Sequence, residues 1–181
     1  MIFDEYEMKY LINQSTYEEV IKLFSDKKAV TSEQTNYYYD TRDQKLRRSN
    51  ITARIREKDG KLTATIKEHF MGTHHSTETT FRVDVITRVI SYNGENLYLY
   101  GKLHTKRMEI DIGKDIKIML DYNVYLGTED YELEIEYESP NRKEALDVVR
   151  FLESTLGRNK LFPSSSKSNR FYKNLFNSDR N

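Results

Sequence analysis

The chain has 181 residues, and its 29 Lys plus Arg balance 29 Asp plus Glu, so the formal net charge is zero. That balance argues against a broad nucleic-acid or anionic-membrane surface, which shows as a basic excess. The absence of cysteine excludes disulfides and thiolate metal sites, so any metal must be held by carboxylates or His. Charged residues make up 32% of the chain against only 7 Gly and 2 Pro, which fits long regular elements and short turns. The length favours one domain, 1–181. The N-terminus shows no basic and apolar leader and no stretch is long enough to span a bilayer, so a soluble cytoplasmic protein is expected.

The opening stretch, Glu5-Tyr6-Glu7-Met8-Lys9, reads as a strand with Glu5, Glu7 and Lys9 on one face and Tyr6, Met8 and Tyr10 on the other. Ser15 and Glu18 have the spacing of a capping box, opening a helix to about Lys27 with Tyr17, Val20, Ile21 and Phe24 on one side. Strands follow. Thr35–Thr41 is aromatic and β-prone; Ile51–Glu57 sets Thr52, Arg54 and Arg56 against Ile51, Ala53 and Ile55. Asp59-Gly60 supplies a tight turn into Lys61–Lys67, and a strand from about Thr77 to Arg82 places Glu78, Thr80 and Arg82 on one face. Between them, Phe70–Ser76 is a polar turn with His74 and His75, which read as solvated.

Val85, Ile86, Val89 and Ile90 predict a short helix from Asp84 to about Ser91, stopped by Asn93-Gly94. Three more strands then carry Arg107, Glu109 and Asp111; Lys117, Met119, Asp121 and Asn123; and Glu132, Glu134, Glu136 and Glu138, each row opposite an apolar one. Ser139-Pro140-Asn141 opens a helix to about Leu156, with Gly157 at its C-terminal cap. A tail with Lys167 and Arg170 leads into a short amphipathic segment, and the residues after Phe176 read as a frayed end.

About eight strands with charge on one face admit two architectures. One is an ordinary barrel or sandwich, charged outside. The other is an inside-out barrel whose charged faces line a wet tunnel and whose apolar faces are covered by four helical segments. Glu is disfavoured in strands, and a row of glutamates repels itself unless cations sit among them. Acidic rows and the basic rows at Arg54, Arg56 and Lys67 would together suit a polyphosphate with divalent cations.

Glu5-x-Glu7-x-Lys9 resembles the ExExK signature of the CYTH, or triphosphate tunnel metalloenzyme, family. Tyr38-Tyr39-Asp40-Thr41, Arg54-Ile55-Arg56, Thr65-Ile66-Lys67 and Glu132-Leu133-Glu134 follow in the family's order, and Tyr125–Glu134 resembles the stand-alone CYTH proteins of Gram-positive bacteria. The resemblance implies an α+β fold, an eight-stranded antiparallel barrel forming a charged tunnel with helices packed outside. It implies metal at Glu5, Glu7, Glu132 and Glu134, with Mg²⁺ or Mn²⁺ as cofactor. Phosphate oxygens would be gripped by Lys9, Arg54, Arg56, Lys67, Arg107 and Lys167, with Glu78 and Asp121 as further tunnel acids. Glu5, Glu7, Lys9 and Arg56 form the expected catalytic set. Arg82, Glu109, Asp111, Lys117 and Glu136 share the inward face without an assigned role.

The implied reaction is metal-dependent hydrolysis of inorganic triphosphate, thiamine triphosphate or a nucleoside triphosphate by in-line attack of water. The alternatives are a class IV type adenylate cyclase, in which the ribose 3′-hydroxyl replaces water, and a non-catalytic module that binds polyphosphate or nucleotide. The expected partner is a small-molecule triphosphate, with no nucleic acid and no membrane, and the protein is expected to be a monomer or homodimer.

Overall fold

The computed structural model describes residues 2–70 and 72–178, and its described residues form ten strands, four α-helices and two short 3₁₀ turns. The strands are β1 (Ile2–Ile12), β2 (Ala29–Asp40), β3 (Ile51–Lys58), β4 (Lys61–His69), β5 (His75–Val83), β6 (Val89–Tyr92), β7 (Glu95–Gly113), β8 (Ile116–Tyr125), β9 (Thr128–Tyr137) and β10 (Phe162–Pro163). The helices are α1 (Gln14–Leu23), α2 (Lys45–Arg48), α3 (Arg142–Leu156) and α4 (Lys167–Ser178). Eight strands pair antiparallel in the order β1-β5-β4-β3-β2-β7-β8-β9, and β9 returns to β1 to close the barrel. Closure leaves no free edge among these eight.

The barrel is inside-out, the second of the two architectures and the one the family resemblance implied. Its apolar faces point outward and are covered in two places. Against β1, β8 and β9 lie α1 and α3, burying Met8, Val20, Ile118, Leu120, Leu133, Ile135 and Leu152. Fully burying a side chain of this size contributes about 1.5–3 kcal/mol. A second cluster, around Tyr39, Ile55, Ile66 and Leu97, is covered by α2 and by β6 with its preceding loop.

That second cover differs from the helix expected over Asp84–Ser91. Residues 84–88 are irregular and β6 pairs with β7. Asn93 and Gly94, at φ 49° and 78°, form the turn of this hairpin instead of a helix stop. The apolar residues that read at helical spacing serve both forms: Ile86 and Ile90 still reach the cluster, but from a loop and a strand. At the first helix the cap is Asn13, whose Oδ1 accepts from Thr16 N at 2.8 Å, two residues before the expected cap Ser15.

One end of the barrel is closed by α4. Phe171 packs on Tyr38 (ring centroids 5.0 Å apart) with Leu103, Tyr125 and Tyr172 beside it. Gly101 makes this possible: it lies opposite Tyr38 at a β-bulge, and a Cβ there would stand 2.8 Å from the Phe171 ring. Arg47 lies over the rings of Tyr172 and Phe176, holding the helix from outside rather than extending into solvent. α4 runs to Ser178; beyond it, the expected frayed end lies outside the described residues.

Candidate active site in the barrel

Period-two alternation on the strands of the barrel wall delivers the charged side chains to one interior space. Glu7 and Lys9 from β1 point inward, as do Arg54 and Arg56 from β3, Lys67 from β4, Glu78 from β5, Arg107 from β7, Asp121 from β8, and Glu134 and Glu136 from β9. Lys167 enters from the first turn of α4, held there by Ser168, whose hydroxyl lies 2.9 Å from that of Thr52. The space left open among these groups is about 90 Å³. It joins an antechamber of about 290 Å³ between the β4–β5 connection and the start of α4, walled by His69, Phe70, His74 and Tyr172.

The charges are organised as pairs. Lys9 bridges Glu7 at 2.6 Å and Glu134 at 2.8 Å. Lys67 reaches Glu7 at 2.8 Å and Glu78 at 3.2 Å, and also contacts Glu5. Arg107 clasps Asp121 at 2.7 Å and Glu134 at 2.6 Å. Lys167 sits among Glu132, Asp121 and Glu134 at 2.5, 2.7 and 2.9 Å. Burial raises the Glu7 carboxyl, but Lys9 and Lys67 outweigh it and hold the group at about 2. Glu78 is brought to about 2 in the same way by Arg54 and Lys67. Glu134 is held well below the usual range against its own burial by Lys167, Lys9 and Arg107.

Three residues are not fully matched in this way. Arg56 donates from Nε to Asn36 Oδ1 at 2.9 Å, and among the described residues no carboxylate lies within ion-pair distance of it. Burial, with Arg54 and Arg107 nearby, lowers it to about 10. Arg54, although paired to Glu78 at 3.2 Å through its terminal nitrogen, keeps a buried Nε with no partner. On the acidic side, burial and the carboxylates of Glu134 and Glu5 raise Glu136 to about 7. The interior therefore holds one guanidinium without a carboxylate partner, Arg56, one unpartnered donor, Arg54 Nε, and one carboxyl raised by its acidic neighbours, Glu136.

The four glutamates expected to share metal divide into two clusters. Glu5 and Glu7 converge with Glu136, and Glu132 and Glu134 with Asp121, each set offering carboxylate oxygens within 4.8 Å of one another. Lys167 and Arg107 already neutralise the second cluster. The donor set is oxygen throughout, which suits hard Mg²⁺ or Mn²⁺.

Several expected inward residues lie elsewhere. Arg82 is 88% exposed beside Asp84, and Lys117 pairs with Glu109 at 2.7 Å in solvent. Asp111 is exposed, and Glu138 falls past the end of β9. Of the two motif tyrosines, Tyr38 faces the interior, whereas Tyr39 faces outward and donates to the Thr87 carbonyl at 2.7 Å. His75 is not simply solvated: it stacks between Tyr6 and Phe70 and meets Asp4 at 2.8 Å. Asp40, within the matched Tyr-Tyr-Asp-Thr motif, accepts from the backbone of Thr41, Leu46 and Arg47 and so fixes the start of α2.

Sequence reasoning missed Gln34 and Asn36 on the inward face of β2 and Arg170 on α4. Arg170 binds Glu132 at 2.9 Å and Asp130 at 2.9 Å, seating α4 on β9. The signal for Gln34 and Asn36 was their two-residue spacing from Tyr38. Neither carries a charge, and Gln34 falls just before the strand expected over Thr35–Thr41.

Three comparisons bear on this geometry. A Bacillus subtilis protein called "Putative triphosphatase YjbK" is 26% identical over 153 residues, covering 73% of this chain and 76% of that one. A Bacillus halodurans crystal structure called a "putative adenylate cyclase" superposes with TM-score 0.73 at 26% identity, over 94% of this chain and 98% of that one. The Hippeastrum protein HpAC1, described as a putative adenylyl cyclase with a dominant triphosphatase activity, shares the fold at TM-score 0.73 and 20% identity, over 93% and 95%. The CYTH domain family profile matches residues 4–172, which include every inward-facing charge named above, and the chain belongs to that family.

Proposed function

We propose that the protein is a divalent-metal-dependent triphosphatase. The observation that carries this reading is Arg56, a buried guanidinium without a carboxylate at ion-pair distance among the described residues, beside the unpartnered Nε of Arg54, in a cavity that the acidic cluster of Glu5, Glu7 and Glu136 also lines. Arg matches phosphate oxygens bidentately, and a phosphate there would give Arg56 the anionic partner it lacks. Lys9, Lys67, Arg107 and Lys167 already hold carboxylates and would share them with substrate oxygens. A cation would be held by Glu5, Glu7 and Glu136; the second cluster takes one only if Lys167 withdraws. A bound Mg²⁺ or Mn²⁺ supplies Lewis-acid polarisation of the phosphoryl group.

The chain's own residues do the rest. Arg54 and Arg56 orient the phosphates and offset charge that develops on them in the transition state. The aromatic closure by Phe171 and Tyr172 shuts one end of the barrel, so substrate enters from elsewhere and water access is limited. Phosphate release from inorganic triphosphate, thiamine triphosphate and ATP, with Mg²⁺ and with Mn²⁺, is the test. No release from any of them sinks the proposal.

One observation favours a second reading. The antechamber of about 290 Å³ adjoins the phosphate cavity and has room for the organic part of a nucleotide. Formation of cyclic AMP from ATP would make the protein an adenylate cyclase instead.

A further inference from the structure

We infer that Gln34 is a further substrate-binding residue, whose carboxamide donates a hydrogen bond to a phosphate oxygen of the bound triphosphate. The inference rests on the triphosphate reading above and extends it to a residue outside the charged rows.

Gln34 is 3% exposed, yet its Nε2 has no hydrogen-bond partner. A buried donor left unpaired is costly, and native interiors rarely keep one without a reason. Its position supplies the reason. The residue lies on the inward face of β2 with Asn36 and Tyr38, opposite Thr105 on β7, and its side chain borders the same cavity as the stranded Nε of Arg54. The register also sets it between two guanidinium groups: Arg56 is opposite Asn36 on one side, and Arg107 is opposite Ser32 on the other.

The residue type fits that position. A lysine would add to the repulsion from Arg54 and Arg107 that already lowers Arg56. A glutamate would relieve that repulsion but oppose a phosphate. A carboxamide gives a donor without charge, leaving the cations free for the anion. Asn36, one step along the strand, uses its own side chain as an acceptor to aim Arg56, so the two neutral residues divide the work: Asn36 positions a guanidinium and Gln34 touches the ligand.

The test pairs two measurements on Gln34→Met and Gln34→Glu: thermal melting of the ligand-free protein, and calorimetric titration with inorganic triphosphate in Mg²⁺. A stranded donor predicts opposite signs. Gln34→Met, similar in length and without a donor, should melt at the same or a higher temperature while binding triphosphate roughly tenfold or more weakly, the usual range for a bond to a charged acceptor. Gln34→Glu should bind more weakly still. Wild-type affinity in Gln34→Met overturns the inference. So does a fall in ligand-free melting temperature that parallels the loss of affinity, which marks a structural amide bonded to water. A wild-type protein that does not bind triphosphate overturns the triphosphatase reading and this inference together.

Discussion

Replacing Arg56 by Met separates what this guanidinium costs the empty protein from what it contributes to the bound one. A guanidinium brought from 12.5 to about 10 by burial and by two neighbouring guanidiniums carries about 3 kcal/mol of penalty, at 1.36 kcal/mol per pH unit. Removing it also strands Asn36 Oδ1, a buried acceptor worth about 1–2 kcal/mol. The difference leaves Arg56→Met more stable without ligand by about 1–2 kcal/mol, or about 2–8 °C in melting temperature for a chain of this size. Binding should move the other way. Two charge-assisted bonds to phosphate are together worth at least about 3 kcal/mol, so triphosphate affinity should fall by roughly 100-fold or more. Differential scanning calorimetry and isothermal titration with inorganic triphosphate and Mg²⁺ read the two effects. A variant that is destabilised and still binds triphosphate at wild-type strength refutes the assignment of Arg56 to the anion.

Lys167→Ala should leave Asp121, Glu132 and Glu134 crowded and short of a cation, costing about 3–5 kcal/mol. Because the vacated position is lined by carboxylates, added Mn²⁺ should raise the melting temperature of this variant more than that of the wild type; equal increments would show that the cluster does not take metal. His69 is lowered to about 4 by burial and by Lys67 and Lys9, against 6.5 when unfolded. The unfolded chain thus binds the extra proton between those values, so stability is full above pH 6.5 and falls by up to about 3 kcal/mol as pH drops toward 4. Urea unfolding across that range should show His69→Gln with a shallower slope than wild type. Gly101→Ala drives a methyl group to 2.8 Å from the Phe171 ring at φ 155°, and should cost about 1–3 kcal/mol while loosening α4. Proteolysis should then cut within α4 faster than in the wild type, and unchanged resistance would show that α4 is held by other contacts.

The direction of each strand face was legible because strand alternation is local: Glu7 and Lys9 fall on one side whatever the rest of the chain does. The same locality misled at residues 84–91, where apolar positions fit a helix and a loop plus strand equally, and pairing with β7 decided for the latter. It also overextended the inward rows. Arg82, Asp111 and Lys117 have the right parity, but they lie beyond the part of their strands that faces the cavity. Neutral residues such as Gln34 were invisible as site residues, since an amide acquires meaning only when its partners, or their absence, are known.

The sequence alone determined the alternation, the excess of charge on one face of nearly every barrel strand, and the family motifs that ordered those charges. These are properties of neighbours along the chain. Only the tertiary structure decided which charges compensate one another. Barrel closure through β1 and β9 separates Glu5, Glu7 and Glu136 from Asp121, Glu132 and Glu134, and the packing of α4 delivers Lys167 to the second group. Interaction between charges depends on distance and burial, not on separation in sequence, so the unpaired Arg56 and the acidic cluster facing it appear only once the barrel is closed.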